Sequence, residues 1–531
     1  MTTWSRRLRR LPWIDLAVVG FFLAMTLILA WPLVGGRMST HLAGNDNDTF
    51  INIWANWWTG RVLAAGKNPF FCDYEFFPVG VDLTFHSFSH FNSLLCVALT
   101  PLFGNIVAQN LTTLLAYVMT GVSTYWLVKY LTGKRFPALV AGYLYTFSPF
   151  HISEASHPVL NTAQWLPLFT LFLIRMVREG RKRDGLWAGL FLFLTAFSSW
   201  HLFLFTCGFA LLYLLYTTIQ LLRRRDRSGI ESLVVPFTVF CGVSTLLVGT
   251  LLYPALSALL NGAADDFVLT DRIGQADLLQ FFRPPSTYPG IGSLMGIEPV
   301  KKSTYLGISV LVVAAYGAWH NRPRANVWVL GAFLFFLLAL GPYLQIGDTV
   351  YEHVVLPWGW PVGRLFRDPP RIAFLITFCL SVLVGFAMAT IEHRLLLKKG
   401  RGRWWPLAVV AGVMMIDVLS VPFPTMQPPA VSEFYVDLAV KDGDFAILQL
   451  PFGRTPARYY AYYQTIHEKR TVEGIASRQP QAAYRYIWGN PFLAAIKKTG
   501  EMSDEITDVS RQLSMLADDN IRYLILHKGL R

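Results

Sequence analysis

The chain has 531 residues, 53% of them hydrophobic and only 15% charged, against about a quarter charged in an ordinary soluble domain. Its net charge is +13, but the Lys and Arg sit in short clusters between apolar runs, which marks a cytoplasmic membrane face and argues against a nucleic-acid partner. The five cysteines, Cys72, Cys96, Cys207, Cys241 and Cys379, are scattered with no C-x-x-C, which argues against a zinc site or a disulfide framework.

In chain order, the apolar run 13–34 follows the basic flank "RRLRR". It is long and no small-x-small cleavage site closes it, so it reads as a retained first helix. A loop, 35–106, comes next. It opens on "GNDNDTFINIWANWW", which sets Asp46 and Asp48 just past the first span, and continues through "NPFFCDYEFFPVG". Aromatics at this density belong at the headgroup level. The run "FNSLLCVALTPLFG" (91–104) resembles a span, but counting it as one would put the later basic loops outside. It is therefore read as a juxtamembrane helix in the outer interface.

Ten further spans are placed at 107–129, 136–150, 165–177, 186–197, 203–222, 233–253, 305–319, 327–344, 372–391 and 404–421. Several fall short of the roughly 20 residues that cross about 30 Å, so their edges extend into the flanks. With the N-terminus in the cytoplasm, "RRLRR", "KYLTGKR", "RMVREGRKRD", "RRRDR", "NRPR" and "EHRLLLKKGRGR" all fall inside, as the positive-inside bias requires. Asp46 and Asp48 then face outward. After the last span comes the proline-rich "VPFPTMQPPAVSEFY". Beyond it, "FAILQLP" and "RYLILH" read as strands and "SDEITDVSRQLSMLADDN" as an amphipathic helix. The expected architecture is an all-α polytopic membrane protein of about eleven transmembrane helices (1–422), with juxtamembrane helices in its long outer first loop. A small C-terminal α/β appendage (423–531) on the extracytoplasmic face completes it, large enough for a modest core.

Polar residues gather at the outer helix mouths. The first loop supplies Asp46, Asp48, Glu75, His86 and His90, and the second, "HISEASHPVLNTAQ", supplies Glu154, His157 and Asn161. The fourth holds Asp265, Asp266, Asp271 and Arg272, and the fifth, "GRLFRDPPRIAF", holds Arg364, Arg367, Asp368 and Arg371. Of the 11 histidines only His320 and His393 fall inside, so a site is expected outside. Each group also has a plainer role. Asp46 and Asp48 suit N-caps of a helix starting near Thr49. Their D-x-D spacing could hold a divalent cation, although two carboxylates name no metal and no metal ligand is assigned. His86 and His90 share a helical face if that stretch is helical, yet the Glu of a zinc motif is missing. Glu154 and His157 fit a solvated loop, and the arginines fit lipid phosphates. Arginines on the outer side nevertheless run against the inside bias, and their fork of donors suits a phosphate or pyrophosphate.

In layout, over about 11–391, the chain resembles the GT-C class of integral-membrane glycosyltransferases, which includes protein O-mannosyltransferases, aminoarabinose transferases of lipid A and oligosaccharyltransferase catalytic subunits. It is most similar to their uncharacterised bacterial relatives. "DNDTFINIWANWW" stands where those enzymes carry an outer-face acidic residue, so the resemblance assigns that role to Asp48, with Asp46 second. "TFSPFHISEASHPVLN" stands where a further acidic residue is usual; the Asp is missing, leaving Glu154, His157 or Asn161.

The resemblance implies a multi-pass protein of the bacterial cytoplasmic membrane with its N-terminus cytoplasmic and its C-terminal domain extracytoplasmic. The implied donor is a polyprenyl-phosphate or polyprenyl-pyrophosphate sugar, the acceptor a glycan, lipid or protein. Asp48 would act as general base or would orient the acceptor or a metal ion. Arg371, with Arg367 or Arg364, would neutralise the leaving lipid phosphate. Trp54, together with Phe50, Trp57 and Trp58, would wall the sugar or prenyl chain, and His90 would contact substrate. Two rivals stand beside this reading: a transporter or flippase of lipid-linked material, and an inactive scaffold of the same fold.

Overall fold

The computed structural model describes residues 12–87, 89–260, 274–284, 303–357, 368–397, 404–477, 481–499 and 508–530. Its main helices begin with α1 (Pro12–Leu29), α2 (Asp48–Ala65), α3 (His90–Phe103), α4 (Asn105–Thr132), α5 (Arg135–Thr146), α6 (Pro149–Ser153) and α7 (Pro158–Asn161). They continue with α8 (Trp165–Glu179), α9 (Lys182–Ser198), α10 (Trp200–Arg223), α11 (Arg227–Leu260), α12 (Ile308–His320) and α13 (Arg322–Ala339). The last are α14 (Ala373–Leu396), α15 (Trp405–Asp417), α16 (Glu433–Val440), α17 (Arg454–His467), α18 (Pro491–Thr499) and α19 (Ser510–Asp518). Short strands pair as β1 (Phe71–Cys72) with β2 (Val81–Asp82) and β3 (Tyr343–Ile346) with β4 (Thr349–Val355). The C-terminal sheet holds β5 (Ala446–Leu450), β6 (Arg470–Thr471) and β7 (Ile521–Leu526).

A helix stands at each of the eleven segments expected to span. By length and composition, six helical segments among the described residues are long and apolar enough to cross a membrane: 105–132, 158–179, 200–223, 227–257, 322–339 and 369–396. The run expected to lie in the interface is helical as α3, but below that length. The span placed at 327–344 ends early. Gly341, at φ +93°, and Pro342 stop the helix, and the β3–β4 hairpin takes over from Tyr343.

The chain forms two compact units. The first comprises Met1–Arg37, Leu111–Gly249 and Thr270–Thr425. It is a helical bundle around α14, whose residues from Ala373 to Met388 are all buried. A helix apolar on every side belongs in such a position. α5, α12 and α13 pack directly on it. Small residues allow the close approach: a Cβ on Gly317 of α12 would lie 2.2 Å from the Leu383 carbonyl oxygen of α14. The basic helix ends share one end of this bundle. Lys129 at the close of α4 pairs with Asp15 at 3.1 Å, and Lys134 pairs with Glu392 near the close of α14 at 3.0 Å.

The second unit comprises Met38–Asn110, Thr250–Leu269 and Met426–Arg531. Its centre is β5, flanked in a parallel sheet of order β6–β5–β7. All five β5 residues are buried, as a parallel strand covered on both faces requires. One cluster joins Ile447 to α16, α17 and the aromatic side of α2; the other joins Leu448 to α18 and α19. The two expected strands and the expected helix of the tail are therefore present, the helix shortened to Ser510–Asp518, with 501–507 outside the described residues. The core of this unit is shared with the first loop. Phe77 N–H donates to Thr471 O, and Thr471 N–H to Tyr74 O, each at 2.9 Å, so loop backbone extends the β6 edge.

Candidate functional site

In the second unit, the acidic turn is built by the start of α2. Asn47 holds the N-cap position but makes no capping bond with its side chain. Asp46 does that work instead: its Oδ1 accepts the Asp48 N–H at 3.1 Å. Asp48 sits in the first turn, where a negative charge suits the positive end of the helix dipole. Its Oδ1 lies 2.7 Å from Nε of Arg458 on α17, with 32% of the Asp48 side chain and 23% of the Arg458 side chain exposed. Beside this pair, Asn47 Nδ2 donates to Tyr459 Oη at 3.1 Å, and the Phe50 ring packs 5.4 Å from Tyr459 and 5.5 Å from Tyr462.

Arg458 is the residue that the sequence reading missed. Nothing in "GRTPARYYAYYQ" marks one arginine as the partner of a carboxylate some four hundred positions earlier.

Trp54 corrects an expectation. It is fully buried, its Nε1–H donates to Gln464 Oε1 at 2.6 Å, and it stacks on Trp58. Its indole therefore serves the core and keeps no face for a sugar or prenyl chain. His90 opens α3 with its ring 5.8 Å from that of Phe70, and burial lowers its pKa to about 4. His86 and His90 do not share a helical face, because His86 precedes the helix. His86 accepts the Ser477 N–H at Nδ1, and burial, followed by the charge of Arg454, lowers it to about 3.

Glu75 is enclosed in the same unit and accepts the Ile475 N–H at 3.2 Å. Burial pushes its carboxyl up to about 8; the Ile475 N–H opposes this and the neighbouring Glu473 adds to it. A raised pKa means stability that is fully present below the ordinary value of 4.5 and is lost as pH rises through about 8. The melting temperature of the purified chain should therefore fall as pH rises from 4.5 to about 8. In Glu75→Gln this part of the drop should vanish; an unchanged slope would remove Glu75 as its source.

In the first unit, polar residues gather at the bundle end opposite the basic clusters. His157 Nδ1 lies 2.7 Å from Glu154 Oε2, and Glu154 is entirely buried. A carboxyl is thus buried beside an imidazole, where the sequence suggested a solvated loop. Asn161 is also buried, and its carbonyl meets His151 Nε2 at 2.9 Å. Nearby elements carry Arg371: α6 packs on α14 and α7 on α10. Its Nε is 3.0 Å from Asp368 Oδ2 and its Nη1 is 3.1 Å from Nε2 of His201 at the start of α10. His201, on the outer side by the sequence topology, could have been found from that topology alone. Arg364, Arg367, Asp265, Asp266, Asp271 and Arg272 lie outside the described residues.

A family described as a domain of unknown function, DUF6311, matches residues 91–418. No curated protein matches the chain. Among solved structures, it is similar to the Archaeoglobus fulgidus oligosaccharyltransferase tethered to an acceptor peptide containing the NVT sequon. The TM-score is 0.52 at 12% identity, covering 97% of this chain and 69% of that one. It is similar also to the arabinofuranosyltransferase AftD from Mycobacteria, with a TM-score of 0.55 at 15% identity, covering 97% of this chain but only 35% of AftD. These two likenesses establish the GT-C membrane fold that the sequence resemblance implied.

Proposed function

The chain belongs to the DUF6311 family, and from its fold and the carboxylates of its first loop we propose that it transfers a sugar from a polyprenyl-phosphate or polyprenyl-pyrophosphate donor to an acceptor hydroxyl outside the cytoplasm. The observation that carries this reading is a fold shared, over 97% of the chain, with two solved glycosyl-transferring proteins. Asp48, in the first turn of the loop helix, stands where the resemblance puts the acidic residue.

The acceptor oxygen attacks the anomeric carbon, and the bond from that carbon to the phosphate oxygen breaks. The lipid phosphate leaves with the electron pair, and the acceptor proton goes to Asp48 Oδ. Within the first unit, Arg371, steadied by Asp368 and His201, is the group we assign to a lipid phosphate, whose charge its donors suit. Asp46 and Asp48 are the groups that would hold a divalent cation, for which an all-oxygen pair is suitable. The Arg458 guanidinium already places positive charge on Asp48, and no step depends on a metal.

The same reading places the protein in a bacterial cytoplasmic membrane with eleven spans, the basic helix ends inside and the C-terminal α/β portion outside. The pairing of Lys129 with Asp15 and of Lys134 with Glu392 supports a common side for those ends. A transporter is less well supported, since the buried stretch of α14 carries no ionisable group before Glu392, whereas transport pathways place such groups at mid-membrane.

The test uses membranes with and without the chain, supplied with polyprenyl-phosphate sugars labelled in the sugar. Transfer moves label from the lipid to a new acceptor only where the chain is present. Label that crosses the membrane while still on its lipid would overturn the enzyme reading in favour of a flippase.

A further inference from the structure

We infer that Arg458, from the C-terminal segment, is part of the reacting site: its Nε fixes the Asp48 carboxylate and its terminal amino groups take the phosphate of the lipid-linked donor. This rests on the transferase reading above. Three features of the second unit lead to it.

The first is the manner of the contact. Arg458 meets Asp48 through Nε at 2.7 Å, and its two Nη groups make no hydrogen bond among the described residues. An ion pair serving only the fold gains most from the bidentate fork, in which the terminal nitrogens are used. Here the planar donor edge suited to a phosphate is left over.

The second is redundancy. α2 is already fastened to α17 by Asn47 to Tyr459, by Phe50 against Tyr459 and Tyr462, and by Trp54 to Gln464. A partly exposed ion pair adds little to that packing. The fold does not need Arg458 to keep the two helices together.

The third is the company it keeps. Arg454 stands one turn earlier on α17, on the same face. Burial first, then the charge of Arg454, lowers the pKa of the His86 ring, and the charge of Asp48 opposes them. Two guanidinium-bearing positions thus share one face of α17, in a segment some four hundred residues beyond the acidic turn in the chain. In this arrangement the tail completes the site rather than decorating it.

The experiment compares the full-length chain with Arg458→Ala and Arg458→Lys, in membranes and purified in detergent. Three quantities are measured: donor KM, kcat, and retention of a synthetic polyprenyl phosphate by native mass spectrometry. Arg458→Ala should lower kcat by about 10²-fold, the scale of losing one oriented charge at a transition state. It should also raise donor KM and lose retained polyprenyl phosphate, while melting like the wild type. Arg458→Lys restores charge without the fork. It should therefore recover donor KM and lipid retention but leave kcat low. Added methylguanidinium should restore part of the Arg458→Ala activity.

Wild-type KM, kcat and lipid retention in Arg458→Ala would overturn the inference while leaving the transferase reading intact. A parallel drop in melting temperature, with no rescue by guanidinium or lysine, would reduce Arg458 to a structural ion pair. A wild-type chain that neither transfers sugar nor retains the lipid would overturn both.

Discussion

Asp48→Asn is expected to lower turnover by about 10²–10⁴-fold, the usual contribution of a positioned general base. The substitution keeps the size of the side chain and its place in the first turn of α2. It removes the charge that faces Arg458, and with it the acceptor for the hydroxyl proton. The structural penalty is small: a lost charge at a helix N-terminus costs about 0.3–1 kcal/mol. Asp46→Asn provides the contrast. Asp46 works through Oδ1 as acceptor for the Asp48 N–H, and an amide oxygen accepts equally well. That variant should lose far less. Both are measured as kcat in membranes with the amount of protein quantified; a deeper loss in Asp46→Asn would reverse the order of the two carboxylates.

Gly317→Ala should carry the largest stability effect of any single methyl group in the bundle's α12–α14 contact. The added Cβ would lie 2.2 Å from Leu383 O and 2.9 Å from Ala387 N, both backbone atoms that no side-chain rotation can move aside. Helices α12 and α14 must separate, and α14 is the buried centre of its unit. Overpacking of this kind costs about 1–3 kcal/mol, read as lower melting temperature and reduced monodisperse yield in detergent. Gly412→Ala in α15 is the control, because nothing lies within 4 Å of its Cβ. It should be neutral or slightly stabilising, as alanine is the better helix former. Equal effects at the two glycines would contradict the close α12–α14 packing.

The helices were legible because apolar runs of the right length admit few alternatives, and the basic clusters divide them into hairpins. The strands of the tail were legible for a similar reason: "FAILQLP" is apolar throughout, as a strand buried on both faces must be. The β3–β4 hairpin was hidden because "YLQI" continues the apolar run of α13, and only Gly341 and Pro342 mark the change. Trp54 was misread because spacing along a helix shows which aromatics share a face, not whether that face meets lipid or protein. Its partner, Gln464, belongs to the distant tail.

The same distance explains Arg458. An ion pair between an early loop and a late helix leaves no local trace, since each residue alone resembles an ordinary surface charge. Glu154 and His157 were visible as a pair at one-turn spacing, but their burial was not, because "HISEASHPVLN" is polar enough to pass for a solvated loop. Apolar runs thus mark the helices in the sequence, whereas partners such as Arg458 and Gln464 are supplied only by tertiary packing.

The most direct measurement uses the purified full-length chain in lipid nanodiscs with one synthetic polyprenyl-phosphate sugar and a mixture of envelope acceptors. Free polyprenyl phosphate and glycosylated product are counted together over time. The account predicts that they accumulate one for one in the wild type and that both form at least about 10²-fold more slowly in Asp48→Asn. Stoichiometric release at the wild-type rate from Asp48→Asn would contradict it.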